Sequence, residues 1–328
     1  MGTMQRLVVG IDGGATTSHG VAVDATGAVC AMAHAGSLSF FGSSLAETRR
    51  NLSRLKAALP PVTDVENFVV SSAALFDEAT PDQKEMLCLG ILPLERTRLL
   101  SDCQSALFGA TLGQPGLLVI SGTGSISVAQ NADSKIVKVG GWGHLLGDEG
   151  SAYWIASEAI KAAIAAATGL GPATTLGESV CGFFKVRSLE DLIPVLHHPH
   201  FTKEKLAALA RHLTGTVASA DSVLQTIFTR AGCELARQAL AAAKLCNLRL
   251  DPIPLYLVGR VIEKNSLVRD SFLATIRREI NVAITPPKLS PPLGAAALAL
   301  VDSGITLTDD VVTRLASSFQ KFAVAGDD

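Results

Sequence analysis

The chain has 328 residues, of which 48% are hydrophobic and 18% are charged, so it can bury the cores of about two domains. Its formal net charge of -2 provides no broad basic field, which argues against nucleic acid as a partner and requires any phosphate recognition to be local. The segment before Asp12 is too poor in apolar residues for a signal peptide, and no later apolar run reaches about 18 residues. We therefore expect a cytoplasmic protein that has small-molecule partners and no membrane association.

Two segments of the chain follow the same plan. Residues 8–32 read VVGIDGGATTSHGVAVDATGAVCAM, and residues 117–139 read LLVISGTGSISVAQNADSKIVKV. Each pattern predicts three short strands, the first two joined by a tight turn rich in glycine and hydroxyl residues. Such turns gather backbone N–H groups that bind phosphate oxygens. The repeat therefore predicts two similar lobes that bind one polyphosphate.

The rest of the chain alternates helical patterns with short strands such as NFVVS, RLLS and PLYLV, which indicates an α/β architecture. The Gly and Pro of LGQPG (112–116) are typical of a linker. We accordingly predict an N-terminal lobe over residues 1–114. The C-terminal lobe, 115–328, would contain a helical insertion and a final amphipathic helix that packs back on the body.

Asp12 lies at the end of the first predicted strand, directly before Gly13 and Gly14. A carboxylate in that position could hold a hydrated Mg²⁺ beside bound phosphates. A glycine-rich turn alone is also typical of an ordinary hairpin. Its recurrence as Gly122-Thr123-Gly124 favours the functional interpretation.

Asp102 follows another short strand and opens a helix, in the stretch RLLSDCQSALFGAT. One interpretation is a helix N-cap, because an Asp side chain accepts hydrogen bonds from the first free amides of a helix. The other is a catalytic acid, since α/β folds place catalysis at the carboxyl ends of strands. The pattern by itself leaves both open.

Four motifs together resemble a known family. DGGATTS (12–18), SDCQSAL (101–107), ISGTGS (120–125) and GGWGHLLGDEGSAYWIA (140–156) are similar to motifs of the N-acetylglucosamine kinases, a branch of the BadF/BadG/BcrA/BcrD-type ATPases within the sugar kinase, actin and Hsp70 superfamily. The resemblance implies an α/β, two-lobed actin-like ATPase (ribonuclease H-like) fold with duplicated βββαβα domains. It also implies an ATP-dependent carbohydrate kinase that uses Mg²⁺ and forms a homodimer.

The resemblance also implies roles for single residues. Gly141, Trp142 and Asp148 match residues that line the sugar pocket, Asp102 matches the base that takes the proton of the sugar 6-hydroxyl, and Asp12 matches an outer-sphere partner of Mg²⁺. The nucleotide would contact Gly13, Gly14, Thr16, Thr17, Gly122, Thr123, Gly124, Gly259 and Gly294. The alternatives are a core position for Trp142 and simple close packing for Gly259 and Gly294.

The chain departs from the family pattern after Gly36, where relatives usually supply an asparagine that binds sugar hydroxyls. Here Ser39 and Phe40 occupy that place, and we assign Ser39 as the substitute substrate contact. A site that lacks one hydrogen bond to a hydroxyl changes its substrate preference. N-acetylglucosamine is the expected substrate, and glucosamine and N-acetylmuramic acid are the alternatives.

Two other function classes remain open. An activator-type ATPase of dehydratase systems has a related fold but holds an iron–sulfur cluster on cysteines, whereas the six cysteines here are scattered and form no CxxC pair. A catalytically silent sugar sensor would not need Asp12, Asp102 or both phosphate turns. A sugar-dependent release of ADP would separate the kinase from either alternative.

Overall fold

A computed structural model describes residues 6–41, 44–216 and 221–325. The strands are β1 (Leu7–Gly13), β2 (Thr17–Asp24), β3 (Val29–Gly36), β4 (Val65–Ser72), β5 (Thr97–Ser101), β6 (Gly116–Ser121), β7 (Ser125–Gln130), β8 (Ile136–Gly140), β9 (Ile253–Val258) and β10 (Val282–Ile284). The α-helices are α1 (Leu45–Ala58), α2 (Pro81–Cys88), α3 (Asp102–Thr111), α4 (Ala152–Ala167), α5 (Leu176–Phe184), α6 (Leu192–Leu196), α7 (Lys203–Thr216), α8 (Ser222–Cys246), α9 (Arg260–Lys264), α10 (Ser266–Ile276), α11 (Pro291–Asp302) and α12 (Asp309–Ala325).

The chain divides into two compact units. The first contains the residues up to Gly113 together with those from Pro287 onward, and the second contains Gln114–Pro286. The first division falls within the predicted linker at residues 112–116. The predicted C-terminal lobe, however, included the residues after Pro287, and the structure places these in the first unit.

The sheet of the first unit has the strand order β3-β2-β1-β4-β5 in the described residues. Strands β1, β2 and β3 form an antiparallel meander, and β4 and β5 continue the sheet parallel to β1. The parallel strands β1, β4 and β5 therefore end at one edge of the sheet. This edge carries the side chains of the candidate site.

The sheet of the second unit repeats this arrangement, with β8-β7-β6-β9-β10 as its order in the described residues. Strands β6, β7 and β8 form the antiparallel meander, and β9 and β10 are parallel to β6. The predicted α/β fold with a duplicated strand plan is confirmed. Both meanders coincide with the two segments that the sequence repeat singled out.

Helices cover both faces of the first sheet. On one face α1 packs against a core that includes Val9, Ile11 and Leu52. On the other, α11 and α12 bury a core that includes Val8 and Leu293. The alternation of buried side chains in β1 creates two apolar faces, and the second of them is covered by the segment after Pro287. This burial explains why the C-terminal helices belong to the first unit.

The second unit is built around a larger helical core. α4 and the 25-residue α8 pack with α10 against its sheet, and α5, α6 and α7 contribute buried side chains to the same core. α4 begins after the N-cap Ser151, whose side chain accepts a hydrogen bond from the Trp154 amide. In the part of the chain that the structure describes, no helix combines the length and apolarity that crossing a bilayer requires.

Candidate active site

Two carboxylates of the first unit lie at the carboxyl ends of its parallel strands. Asp12 is the penultimate residue of β1, and Asp102 follows β5 as the first residue of α3. β4 lies between these strands, with Ser71 paired to Asp12 in the ladder. Carboxyl ends of strands in α/β sheets are the usual place for catalytic groups. The structure thus brings the two predicted site acids to one edge.

Burial, followed by the negative charge of Asp102, raises the pKa of Asp12 from 3.8 to about 7. The Ser71 hydroxyl lies 3.3 Å from Asp12 Oδ1, and this hydrogen bond partly opposes the rise. Ser105 in turn donates to Ser71 Oγ at 3.0 Å. At neutral pH the pair therefore retains affinity for a proton or for a cation, because two neighbouring carboxylates resist ionising together.

Asp102 is not the N-cap of α3. That position belongs to Ser101, whose backbone has an extended conformation with a φ of -74° and a ψ of 148°. The Ser101 amide donates a hydrogen bond to Gln104 Oε1 at 3.3 Å. The interpretation of Asp102 as the N-cap of α3 is therefore wrong. Its partly exposed carboxylate is one residue inside the helix, where the helix N-terminus favours the negative charge.

In the first glycine-rich turn, the amides that lack an acceptor are not all those that the sequence predicted. The Gly14 amide donates to Thr17 O at 3.1 Å within the turn. Gly13 lies in β1, where an added Cβ would collide with the Ser71 carbonyl oxygen. Among the described residues, the Ala15 and Thr16 amides have no hydrogen-bond acceptor. The donors available to a phosphate are therefore those of Ala15, which the sequence analysis missed, and Thr16, which it named.

The second turn behaves in the same way. The Gly122 amide donates to Gly124 O at 2.9 Å, whereas the Thr123 and Gly124 amides have no acceptor among the described residues. An added Cβ on Gly122 would meet no atom within 4 Å, so the space beside this turn is open. The Tyr153 amide at the start of α4 donates to Thr123 O at 3.3 Å and fixes the turn. The two turns therefore resemble each other in structure as well as in sequence.

The loop between β8 and α4 exposes a large aromatic side chain. Trp142 is 64% exposed, so the alternative of a core aromatic is wrong. Gly141 has a φ of +72°, and an added Cβ would meet Ile126 Cδ1 at 2.7 Å. The glycine is therefore required by a left-handed backbone and a close contact. An exposed indole next to such a turn is suited to stack on the apolar C–H face of a sugar.

Asp148, by contrast, is only 4% exposed and has a φ of +63°. Burial raises its pKa, while a hydrogen bond from the Ser125 amide at 3.2 Å and the charge of Lys203 oppose the rise. An added Cβ on Gly124 would approach the Asp148 carboxylate to 2.9 Å. The second turn and the Trp142 loop therefore meet at this buried acid, which joins two predicted site elements within one unit.

Glu149 supports the same loop. Its backbone oxygen accepts from Ser125 Oγ at 2.8 Å, and Gln238 Nε2 lies 3.3 Å from that oxygen and 3.4 Å from Glu149 Oε2. These bonds attach the loop to β7 and α8. They hold Asp148, one residue earlier, in its strained conformation.

Three other predicted site residues lie in closely packed surroundings. Ser39 is buried, and its amide donates to Ser37 Oγ at 2.9 Å. Gly259, with a φ of +107°, would collide with Ser121 O if it carried a Cβ. Gly294 would collide with Ser105 O. Gly294 therefore lies in the first unit against α3, which corrects its predicted place in the second lobe beside Gly259.

The carboxylate pair of the first unit fits a magnesium ion. Its hard oxygen ligands suit Mg²⁺, and the raised pKa of Asp12 shows that added positive charge would be stabilising there. The described residues contain no cluster of three or more His, Cys, Asp or Glu side chains suited to a metal. The ion would accordingly depend on Asp12 together with water and ligand phosphates, as Mg²⁺ commonly does.

The sequence as a whole is similar to known proteins. Residues 9–299 match the model of the BadF/BadG/BcrA/BcrD ATPase family. An N-acetylmuramic acid/N-acetylglucosamine kinase of Clostridium acetobutylicum is 34% identical over 174 residues, and the match covers 53% of this chain and 57% of that protein. The N-acetyl-D-glucosamine kinase of Dictyostelium discoideum is 28% identical over 90% of this chain and 98% of that protein.

The fold has solved counterparts. A candidate N-acetylglucosamine kinase from Chromobacterium violaceum superposes with a TM-score of 0.70 at 24% identity, covering 91% of this chain and 100% of that one. A ROK family glucokinase from Streptomyces griseus, solved with glucose and AMPPNP, gives a TM-score of 0.52 at 16% identity, covering 90% and 98%. Likeness at this level of identity shows a shared fold. With the family model matching most of its length, the chain belongs to the BadF/BadG/BcrA/BcrD ATPase family.

Proposed function

We propose that this protein is an ATP-dependent amino-sugar kinase that phosphorylates the 6-hydroxyl of N-acetylglucosamine. The observation that carries the proposal is the pair of carboxylates at one sheet edge, with the pKa of Asp12 raised to about 7. A buried carboxylate whose pKa is raised further by a second carboxylate suits a site that binds a metal or takes up a proton.

Asp102 is proposed as the general base. It would accept the proton of the sugar hydroxyl as that oxygen forms a bond to the γ-phosphorus of ATP and the bond from phosphorus to the bridging oxygen breaks. The products are the sugar 6-phosphate and ADP. A carboxylate at the first turn of α3 is held by the helix, which fixes its direction while leaving it partly exposed to substrate.

Asp12 is proposed to hold Mg²⁺, which neutralises phosphate charge when bound. Ser71 orients the Asp12 carboxylate through its hydroxyl, and Ser105 orients Ser71. The free amides of Ala15 and Thr16 would bind phosphate oxygens from the first unit. In the second unit, the equivalent donors without an acceptor among the described residues are the Thr123 and Gly124 amides.

The sugar side rests on the Trp142 loop. The exposed indole would stack on the sugar ring, and Asp148 would accept hydrogen bonds from ring hydroxyls. Both curated relatives are named as kinases of N-acetylglucosamine, and one of them also of N-acetylmuramic acid. The amino-sugar assignment follows these names, while a homodimer and a cytoplasmic location belong to the proposal through family resemblance alone.

The proposal is tested by a coupled ADP-release assay with Mg-ATP. The panel contains glucose, glucosamine, N-acetylglucosamine, N-acetylmannosamine and N-acetylmuramic acid. The matched variant is Asp102→Asn, which keeps the side-chain shape and removes the base. We expect N-acetylglucosamine to give a high kcat/KM and Asp102→Asn to lower kcat by roughly two to four powers of ten, the usual contribution of a general base.

Circular dichroism of the variant must show a folded chain for this comparison to hold. Near-wild-type turnover in Asp102→Asn would overturn the assignment of the base. Absence of ADP release with every sugar would overturn the kinase proposal and favour a silent sensor. Identification of the product as a 6-phosphate by NMR completes the test of regiochemistry.

A further inference from the structure

A second concave site lies within the second unit, next to the Trp142 loop. It is a cavity of about 390 Å³ between α4 and the start of α7. Its polar lining comes from His144, Tyr153, Ser157, Lys161 and Lys203, and apolar side chains complete the wall. His144 belongs to the same loop as Trp142 and Asp148. The cavity is therefore connected by sequence and by position to the proposed sugar-binding loop.

The two lysines that line this cavity differ in whether a carboxylate pairs with them. Lys161 is compensated, because its Nζ lies 2.9 Å from Glu158 Oε1. Lys203 is only partly exposed, and among the described residues no carboxylate lies within ion-pair distance of it. Glu204 follows it in sequence and acts on His144 from a distance. Lys203 is thus the cation of this cavity that has no fixed partner.

The positive charge of Lys203 also acts on residues of the loop that contains Trp142. Burial lowers the pKa of His144, and the positive charge of Lys203 lowers it further, while Asp148 and Glu204 oppose this. The same Lys203 charge lowers the pKa of Asp148 against the effect of burial. His144 therefore remains neutral near pH 7 and keeps one ring N–H to donate. Its ring is fixed against Tyr153, with centroids 4.9 Å apart.

An anionic group in this cavity would gain a charge-assisted hydrogen bond from Lys203 and a neutral one from His144. With a neutral sugar bound, Lys203 and His144 would instead form their hydrogen bonds with water. The apolar remainder of the wall, which includes Ile160 and Leu206, suits a short aliphatic arm rather than a second polar ring. The combination favours a carboxylate carried on a small hydrocarbon substituent.

We propose that this cavity is a subsite for a carboxylate carried by the amino sugar, with Lys203 as the residue that determines selectivity between acidic and neutral amino sugars. The inference rests on the proposed kinase function and on the sugar position at Trp142 and Asp148. The proposal attributes the selectivity for an acidic substituent to one side chain. N-acetylmuramic acid, whose lactyl ether ends in a carboxylate, is the probe.

The experiment measures kcat/KM for N-acetylmuramic acid and for N-acetylglucosamine in the wild type, in Lys203→Gln and in Lys203→Arg. The control variant is Lys244→Gln, which removes an exposed lysine outside the cavity in the same unit. The readout is the ratio of the two kcat/KM values, so a general loss of folding or of catalysis cancels. A methyl ester of N-acetylmuramic acid serves as the neutral analogue.

We expect Lys203→Gln to lower the ratio by about 10-fold to 100-fold, the effect typical of losing a hydrogen bond to a charged group. Lys203→Arg should recover part of the ratio, Lys244→Gln should leave it unchanged, and the methyl ester should be insensitive to Lys203→Gln.

Two failures have different meanings. If the wild type phosphorylates N-acetylglucosamine but rejects N-acetylmuramic acid, or if Lys203→Gln leaves the ratio unchanged, the subsite is refuted and the kinase proposal stands. If the wild type phosphorylates neither sugar, the proposed function itself has failed and the subsite falls with it.

Discussion

Replacing Asp12 with Asn should change how the stability of the protein depends on pH. In the folded protein the pKa of Asp12 is raised from 3.8 to about 7, by burial and by the charge of Asp102. Between these two values the folded state holds a proton that the unfolded chain has released. The free energy of unfolding of the wild type therefore falls as the pH rises from about 4 to about 7. Because Asn cannot ionise, the free energy of unfolding of Asp12→Asn should not fall in this way.

The magnitude follows from the shift. One pKa unit corresponds to about 1.4 kcal/mol, so the two units between pH 5 and pH 7 give an upper value of about 3 kcal/mol. Asp12 is partly exposed, and solvent reduces this value. We expect Asp12→Asn to gain about 1 to 2 kcal/mol over the wild type between pH 5 and pH 8.

Urea unfolding at several pH values, followed by far-ultraviolet circular dichroism, provides the measurement. Tryptophan fluorescence would be unsuitable, because Trp142 and Trp154 both lie in the second unit. Asp102→Asn removes the neighbouring charge and should reproduce part of the gain, with a double variant gaining less than the sum. Asp133→Asn, at an exposed turn, serves as the control for loss of one carboxylate.

A flat difference between Asp12→Asn and the wild type across pH 5 to 8 would refute the electrostatic account of the acid pair. So would a variant that becomes less stable than the wild type as the pH rises. Magnesium supplies a further check, because a cation bound at Asp12 favours the ionised form. Millimolar Mg²⁺ should raise the wild-type stability at pH 8 and have little effect on Asp12→Asn.

Two other substitutions separate binding from packing. Trp142→Ala should raise the KM for N-acetylglucosamine about 10-fold with little change in Tm, because the 64% exposed indole contributes little to the core; an unchanged KM in steady-state assays would argue against stacking. Gly294→Ala should destabilise the protein by about 1 to 3 kcal/mol, since the new methyl group meets the Ser105 carbonyl where α11 packs on α3; a thermal melt with unchanged Tm would contradict this.

Much of the framework was predictable because it depends on local patterns. The alternation of apolar residues and the glycine turns predicted both meanders, and strands β1 to β3 and β6 to β8 lie where the repeat placed them. Ser151 was recognisable as a cap because its partner, the Trp154 amide, is only three residues away. Signals that depend on neighbours within a few residues can be interpreted without knowing the fold.

The assignment of single donors was less accurate. The sequence suggested Gly14 and Gly122 as phosphate contacts, but the amides of both donate within their own turns. Which amide of a turn is free depends on its dihedral angles and on its position in the ladder, and glycine permits several of each. The sequence therefore identified the turns, and the structure shows which amides lack an acceptor among the described residues, namely those of Ala15, Thr16, Thr123 and Gly124.

By itself the sequence determined the α/β class and the duplicated strand plan, since these follow from short-range pattern, and it proposed Asp12, Asp102 and Asp148 as site acids with the help of the family resemblance. Only the tertiary structure decided that the segment after Pro287 covers the first sheet, and that Lys203 lies in a cavity beside the Trp142 loop. These features join residues far apart in the chain. Their partners are selected by which apolar faces remain to be buried and which charges remain unpaired once the chain has folded.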